Sequence, residues 1–105
     1  MTDRELLEAA ARAAGIKVDW RESVGCYCYS YSPYNIAWNP LDGDGDALRL
    51  AMDLGLVVDC SRPSAGPPFY SHSFAQVDGT DPHAATRRAI VRAAAAMGRA
   101  KAGGE

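Results

Sequence analysis

No stretch of this chain approaches the roughly 18 apolar residues in a row that a membrane-spanning helix requires, and no candidate span is expected. Nor does the N-terminus offer an apolar run of the secretory kind, because Asp3, Arg4 and Glu5 interrupt it. A soluble, cytoplasmic protein is the expectation. Cysteine is scarce and odd in number: Cys26, Cys28 and Cys60. An odd count without a secretion signal points to reduced thiols rather than a disulfide framework. Adding His72 or His83 would bring four metal ligands together, but no pair has the two-to-four-residue gap of a zinc site. No metal and no cofactor are therefore expected. There is no Gly-x-Ser-x-Gly elbow. Ser71, His72 and Ser73 are neighbours on a strand-like stretch, so they alternate between faces and His72 cannot activate either serine. No catalytic residue is assigned, and the chain is read as a non-enzyme. Internal repeats and low-complexity linkers are also missing.

What is present fits one domain. At 105 residues, roughly two thirds of the chain's surface can be buried on folding, enough for a core without metal or disulfide. Apolar residues make up 48%, but many are alanines, which bury little area, so the strands must supply much of the core. The net charge of −2 is unevenly spread: residues 1–80 carry −5 and residues 81–105 carry +3. An acidic body with a basic C-terminal helix is the expected picture.

The most informative stretch runs from Trp38 to Val58. Pro40, Gly43 and Gly45 break regular structure. Asp44 or Asp46 is expected to cap a helix that buries Leu48, Met52 and Leu54 and pairs Arg49 with Asp53. Gly55 is the left-handed stop, and Leu56 packs back over the last turn. The spacing Asp42-x-Asp44-x-Asp46 is like that of a calcium loop. However, Ala47 stands where that loop needs glycine, and Asp53 at the twelfth position falls inside the helix. Capping and a solvated acidic turn account for the same residues.

Before it, Thr2 to Glu5 forms a capping box and opens a helix to about Ala14, stopped by Gly15. Lys17 to Glu22 is a connection or short strand. Val24 to Tyr31 reads as a strand, with Tyr27, Tyr29 and Tyr31 on one face and Val24, Cys26 and Cys28 on the other. Ser32-Pro33-Tyr34-Asn35 is a turn, and Ile36 to Trp38 the return strand. The three tyrosines are a candidate stacking platform for bases; equally, they can cover the sheet with their hydroxyls reaching water.

After it, Leu56 to Cys60 is a short apolar strand, Ser61 to Pro68 a loop, and Phe69 to Val77 a fourth strand. Thr80 or Asp81 caps a last helix that begins at Pro82 and runs to Ala100 or beyond. Ala85, Ala89, Ala93 and Ala96 form a small-residue stripe on it, flanked by Ile90 and Met97. Arg87, Arg88, Arg92 and Arg99 lie on the opposite side. The fold class is α+β, a single domain over residues 1–102 with a frayed tail at 103–105. Its expected order is α-β-β-α-β-β-α, with a roughly four-stranded, largely antiparallel sheet covered by helices.

Three stretches carry a family resemblance. Trp38-Asn39-Pro40-Leu41 with Asp44-Gly45-Asp46-Ala47-Leu48-Arg49-Leu50-Ala51 and Leu54-Gly55 resembles a family of small tailed-phage and prophage accessory proteins. Asp81-Pro82 with Ala84 to Ala94 resembles that family's C-terminal helix, and Met1 to Leu7 its start. The resemblance implies a phage or prophage origin and no assigned activity. On that basis the expected function is non-catalytic binding to a protein of the host or phage, one version being interference with a host-defence protein. The alternative is nucleic-acid binding, with Arg87, Arg88 and Arg92 on phosphates. Against it, the acidic body would repel a polyanion. Tyr27, Tyr29, Tyr31, Arg87, Arg88 and Arg92 are the candidate binding residues.

Overall fold

A computed structural model describes residues 2–67, 74–75 and 81–103. The class is α+β. Helix α1 spans Asp3–Ala14, strands β1 and β2 span Val18–Arg21 and Cys26–Tyr29, and helix α2 spans Asp44–Leu54. Strands β3, β4 and β5 span Val57–Asp59, Ser64–Gly66 and Phe74–Ala75, and helix α3 spans Pro82–Gly103. Residues 71–73, and with them the serine–histidine stretch, lie outside the described residues, as do Thr80 and residues 104–105.

Helix α1 begins as expected. Thr2 accepts the Glu5 N–H at 3.1 Å, and the Glu5 carboxylate accepts the Thr2 N–H at 3.0 Å. Gly15 ends it in the left-handed region at φ 70°, where only glycine sits without a Cβ clash. Helix α3 opens on Asp81, whose carboxylate accepts the N–H groups of His83 and Ala84 at 3.0 and 3.3 Å.

Helices α1 and α3 make the most extensive contact between elements. Both helices are rich in buried small residues: Ala9, Ala10 and Ala11 on α1, and Ala89, Ala93, Ala94 and Ala95 on α3. Gly98 sets the spacing. A Cβ there would meet the Ala9 carbonyl oxygen at 1.9 Å, so the two backbones cross closer than any side chain permits. Leu6, Leu7, Leu50, Ile90, Val91, Tyr27 and Trp38 complete one core.

The expected single sheet is in fact two. β1 and β2 pair antiparallel, with Trp20 opposite Tyr27 and Arg21 opposite Cys26. The reversal between them, read above as part of a longer strand, turns on Gly25 at φ 67°, whose N–H bonds the Arg21 carbonyl at 2.8 Å. The other edge of β2 is taken by residues 36–38: Tyr29 N–H bonds the Ile36 carbonyl at 3.0 Å and Trp38 N–H the Tyr27 carbonyl at 2.9 Å. Both edges of β2 are thus occupied, and β3 belongs to a second antiparallel sheet in the order β3-β4-β5. β4 lies where a loop is expected. The Asp59 carboxylate accepts the N–H groups of Ser61 and Arg62 at 3.0 and 3.2 Å, which reverses the chain before Pro63. The returning Ala65 is fully buried, and β4 lies against α3.

Helix α2 has the expected extent and stop, with Gly55 at φ 63°, but a different buried face. Ala47, Leu50 and Ala51 are buried, whereas Leu48 and Met52 are 58% and 68% exposed. Its N-cap is Gly43, without a side-chain cap. Asp46 reaches back to accept the Asn39 N–H at 3.0 Å and pairs with Arg49 at 2.6 Å. The expected Arg49–Asp53 pair gives way to this shorter-range one.

Candidate functional site

The β1–β2 hairpin places one arginine where it organises the loop that follows. Arg21 ends β1, and only 19% of its side chain is exposed. One terminal nitrogen donates to the Tyr34 carbonyl at 2.8 Å and to Asn35 Oδ1 at 3.2 Å. The other donates to the carbonyls of Tyr29 at 3.0 Å and Ser32 at 2.8 Å. Asp19 holds the same guanidinium at 3.4 Å, and the Ser30 hydroxyl bonds the other oxygen of Asp19. That hydroxyl first, and Arg21 after it, hold the Asp19 carboxyl below the usual carboxylate range. Ser32 is buried, and its Oγ accepts the Tyr34 N–H at 3.0 Å.

A guanidinium suits this task because its donors form a rigid planar fork, so several carbonyls are satisfied by one pre-set group. Residues 30–35 thus form a loop in which the carbonyls of Ser32 and Tyr34 point inward to Arg21. Its large side chains point out: Tyr31 and Tyr34 are each 76% exposed, with Ile36 beside them at 43%. Tyr31 leans on Tyr29, ring centroids 5.3 Å apart at 44°. Tyr29 is half-buried beside α2; burial, and after it the charge of Asp46, push its phenol up.

The candidate residues therefore separate. Tyr27 is buried, edge-on to Trp20 at 5.3 Å, and its hydroxyl donates to Glu8 at 3.2 Å. It is a core residue under α1 and presents no face to a base. Tyr29 and Tyr31 stay together at the surface. Arg87 donates to the Leu41 carbonyl at 2.8 Å and pairs with Asp44 at 2.6 Å. Arg88 grips Asp3 with both nitrogens, at 2.9 and 3.2 Å. These arginines hold the Asp44 and Asp3 carboxyls below their ordinary range. Arg92 is exposed further along α3. Arg4, Arg87, Arg88 and Trp20 border a cleft of about 710 Å³ between α1, the first hairpin and α3. The acidic turn is engaged as well, with Asp44 on Arg87 and Asp46 on Arg49. Among the described residues, no three His, Cys, Asp or Glu side chains converge as a metal site would need.

Arg21, Ser32, Tyr34 and Ile36 are not among the residues picked out by the sequence reading. The available signal was a large aromatic inside a Ser-Pro-Tyr-Asn turn, a place where burial is hard and display is easy. The chain matches no protein-family model, no curated protein and no solved structure.

Proposed function

We propose that this protein acts without catalysis, by binding another protein through the loop of residues 30–36. The observation that carries the reading is the combination of a fixed backbone with displayed aromatic side chains. Arg21 donates to three backbone carbonyls of the loop and its base, while Tyr31 and Tyr34 stand 76% exposed. Tyrosine gives a large amphipathic contact for few rotatable bonds, and a loop already in its working shape loses little entropy on binding. An unbound protein gains nothing from exposing two phenol rings to water, whereas a partner pocket with hydrogen-bond acceptors at its base would receive both the rings and their hydroxyls.

The resemblance to phage accessory proteins supplies the setting: a protein made in a bacterial host, with a host or phage protein as partner, host-defence proteins included. The nucleic-acid reading is weakened by the engagement of Arg87 and Arg88 with Asp44 and Asp3, which neutralises the face that would meet phosphates.

The test compares wild type with a Tyr31→Ala/Tyr34→Ala variant as immobilised bait in lysate of the host, read by quantitative mass spectrometry. It is run beside retention of random duplex and single-stranded DNA at low and moderate salt. The expected result is a protein enriched on wild type and depleted at least tenfold on the double variant, with no DNA retention. An identical set of captured proteins on both baits contradicts the reading. So does salt-sensitive DNA retention that is lost in Arg88→Ala/Arg92→Ala.

A further inference from the structure

A second cavity, of about 420 Å³, lies between α2, β3 and the N-terminal half of α3. Small-molecule pockets run to roughly 300–1,000 Å³, and this one falls among them. Ala47, Leu48, Val58, Pro82 and Ile90 supply its apolar wall. Leu48 is largely exposed, so α2 holds a large apolar side chain beside this space that the core does not use. The docking loop does not account for it, because none of residues 30–36 borders the cavity.

The charged groups on the wall gather around one carboxylate. Asp44 accepts from Arg87 at 2.6 Å, and the His83 imidazole stands 3.8 Å from its other oxygen. The Thr86 hydroxyl is spent on the Pro82 carbonyl at 2.8 Å. Arg87 keeps only 16% of its side chain exposed. Its Nε donates to the Leu41 carbonyl and its Nη1 to Asp44, and among the described residues nothing accepts from Nη2. That nitrogen is not sealed in the core: among the described residues, the buried side-chain nitrogen without a partner belongs to Trp20. A ligand atom can therefore reach it. Arg87 borders the larger cleft as well, but that space is lined by Asp3, Arg4, Asp42 and Arg88, whereas this one is walled largely by hydrocarbon.

Two features select the ligand. A mostly buried guanidinium with spare N–H groups calls for an oxygen acceptor. Arg87 and Asp44 cancel each other's formal charge. A carboxylate arriving at Nη2 would meet Asp44, and an ammonium would meet Arg87, each in apolar surroundings that penalise an unmatched ion. A neutral acceptor carries neither cost. We propose that this cavity binds a small neutral molecule with an apolar body and one carbonyl oxygen. The carbonyl accepts from Arg87 Nη2, and the body lies against Leu48, Val58 and Ile90.

The test titrates the full chain with prodan, a neutral naphthyl ketone whose emission moves to the blue in apolar surroundings. The competitors are acetophenone, ethylbenzene, benzoate and benzylammonium at pH 8. The expected result is saturable binding of one dye per chain. Acetophenone should displace it at a concentration at least tenfold lower than any of the other three, as befits a hydrogen bond to a charged donor. Leu48→Asp, a change at an exposed position, should weaken the dye at least tenfold, and Tyr31→Ala/Tyr34→Ala should leave it unchanged. Arg87→Met, provided its circular dichroism matches wild type, should bring acetophenone and ethylbenzene level; if it does not match, the competitor series on wild type decides. Absence of saturable binding overturns the site. So does binding that survives Leu48→Asp or is lost with the two tyrosines. Ethylbenzene competing as well as acetophenone contradicts recognition of the carbonyl, and benzoate doing so contradicts the preference for a neutral ligand.

Discussion

Two residues carry more of this structure than their size suggests. Gly98 has no side chain because the Ala9 carbonyl occupies the space one would need, 1.9 Å from an added Cβ. In an ordinary exposed helix, replacing glycine by alanine gains up to about 1 kcal/mol. Here the α1–α3 crossing must open to admit the methyl. Overpacking of that kind costs about 1–3 kcal/mol, and a clash with backbone puts it at the upper end. Gly98→Ala should therefore lower unfolding free energy in urea by about 2 kcal/mol; unchanged or raised stability would mean that the helices are not in this contact. Arg21 is the second such residue. Arg21→Lys keeps the charge and the stem but loses the fork, and one ammonium cannot reach the carbonyls of Tyr29, Ser32 and Tyr34 together. The expected outcome is an intact fold by circular dichroism, with the 30–36 loop loosened and partner capture reduced.

Among the elements, α2 shows how a helix with two plausible apolar faces is resolved. The expected stripe of Leu48, Met52 and Leu54 divides: Leu48 and Met52 are exposed, while Leu54 is half-buried and packs on the core with Ala47, Leu50 and Ala51. This face wins because α2 must approach α3, and small residues around the fully buried Leu50 allow the closer contact. Leu50→Ala should cost about 2–5 kcal/mol, while Met52→Ala, at a site 68% exposed, should change stability by no more than about 0.5 kcal/mol. Reversed magnitudes in a urea titration would restore the other face. The same contrast shows which elements the sequence made legible. Helix starts and stops were readable because they are local: the Thr2–Glu5 box, the Asp81 cap, and Gly15 and Gly55. The strands were not, because strand identity depends on which edge is available. Gly25 looked like part of a tyrosine-rich strand but is the turn that creates β1–β2. The prolines on either side of Ser64–Gly66 masked a strand that exists because Asp59 turns the chain and α3 receives Ala65. The site was half legible. Tyr29 and Tyr31 were visible as aromatics in a β-rich stretch. Tyr34 and Ile36 depend on Arg21, more than ten residues earlier in the chain, and periodicity carries no trace of that link.

At the scale of the whole molecule, the uneven charge of the sequence becomes a set of ties between elements. The basic helix α3 reaches α1 through Arg88–Asp3 and α2 through Arg87–Asp44. Both carboxyls are held below their ordinary range, each chiefly by the hydrogen bond from its arginine. A depressed folded-state pKa stabilises the fold at every pH above the unfolded value, and that contribution is lost as pH falls through the folded one. Thermal stability should therefore be level near neutrality and fall as the solution is taken from about pH 5 toward pH 2. Asp3→Asn/Asp44→Asn should start lower and fall less over the same range. An equal drop in both proteins would place the acid sensitivity elsewhere. These ties also fix the body from which the tyrosine loop projects, and the functional reading depends on that loop having its shape before any partner arrives. Amide hydrogen exchange of residues 30–36 in the unbound protein, followed by mass spectrometry for wild type and Arg21→Lys, measures this directly. The account predicts a loop protected in wild type to a level comparable with β2, and at least tenfold faster exchange in the variant. A wild-type loop that exchanges as fast as an unfolded peptide would contradict it.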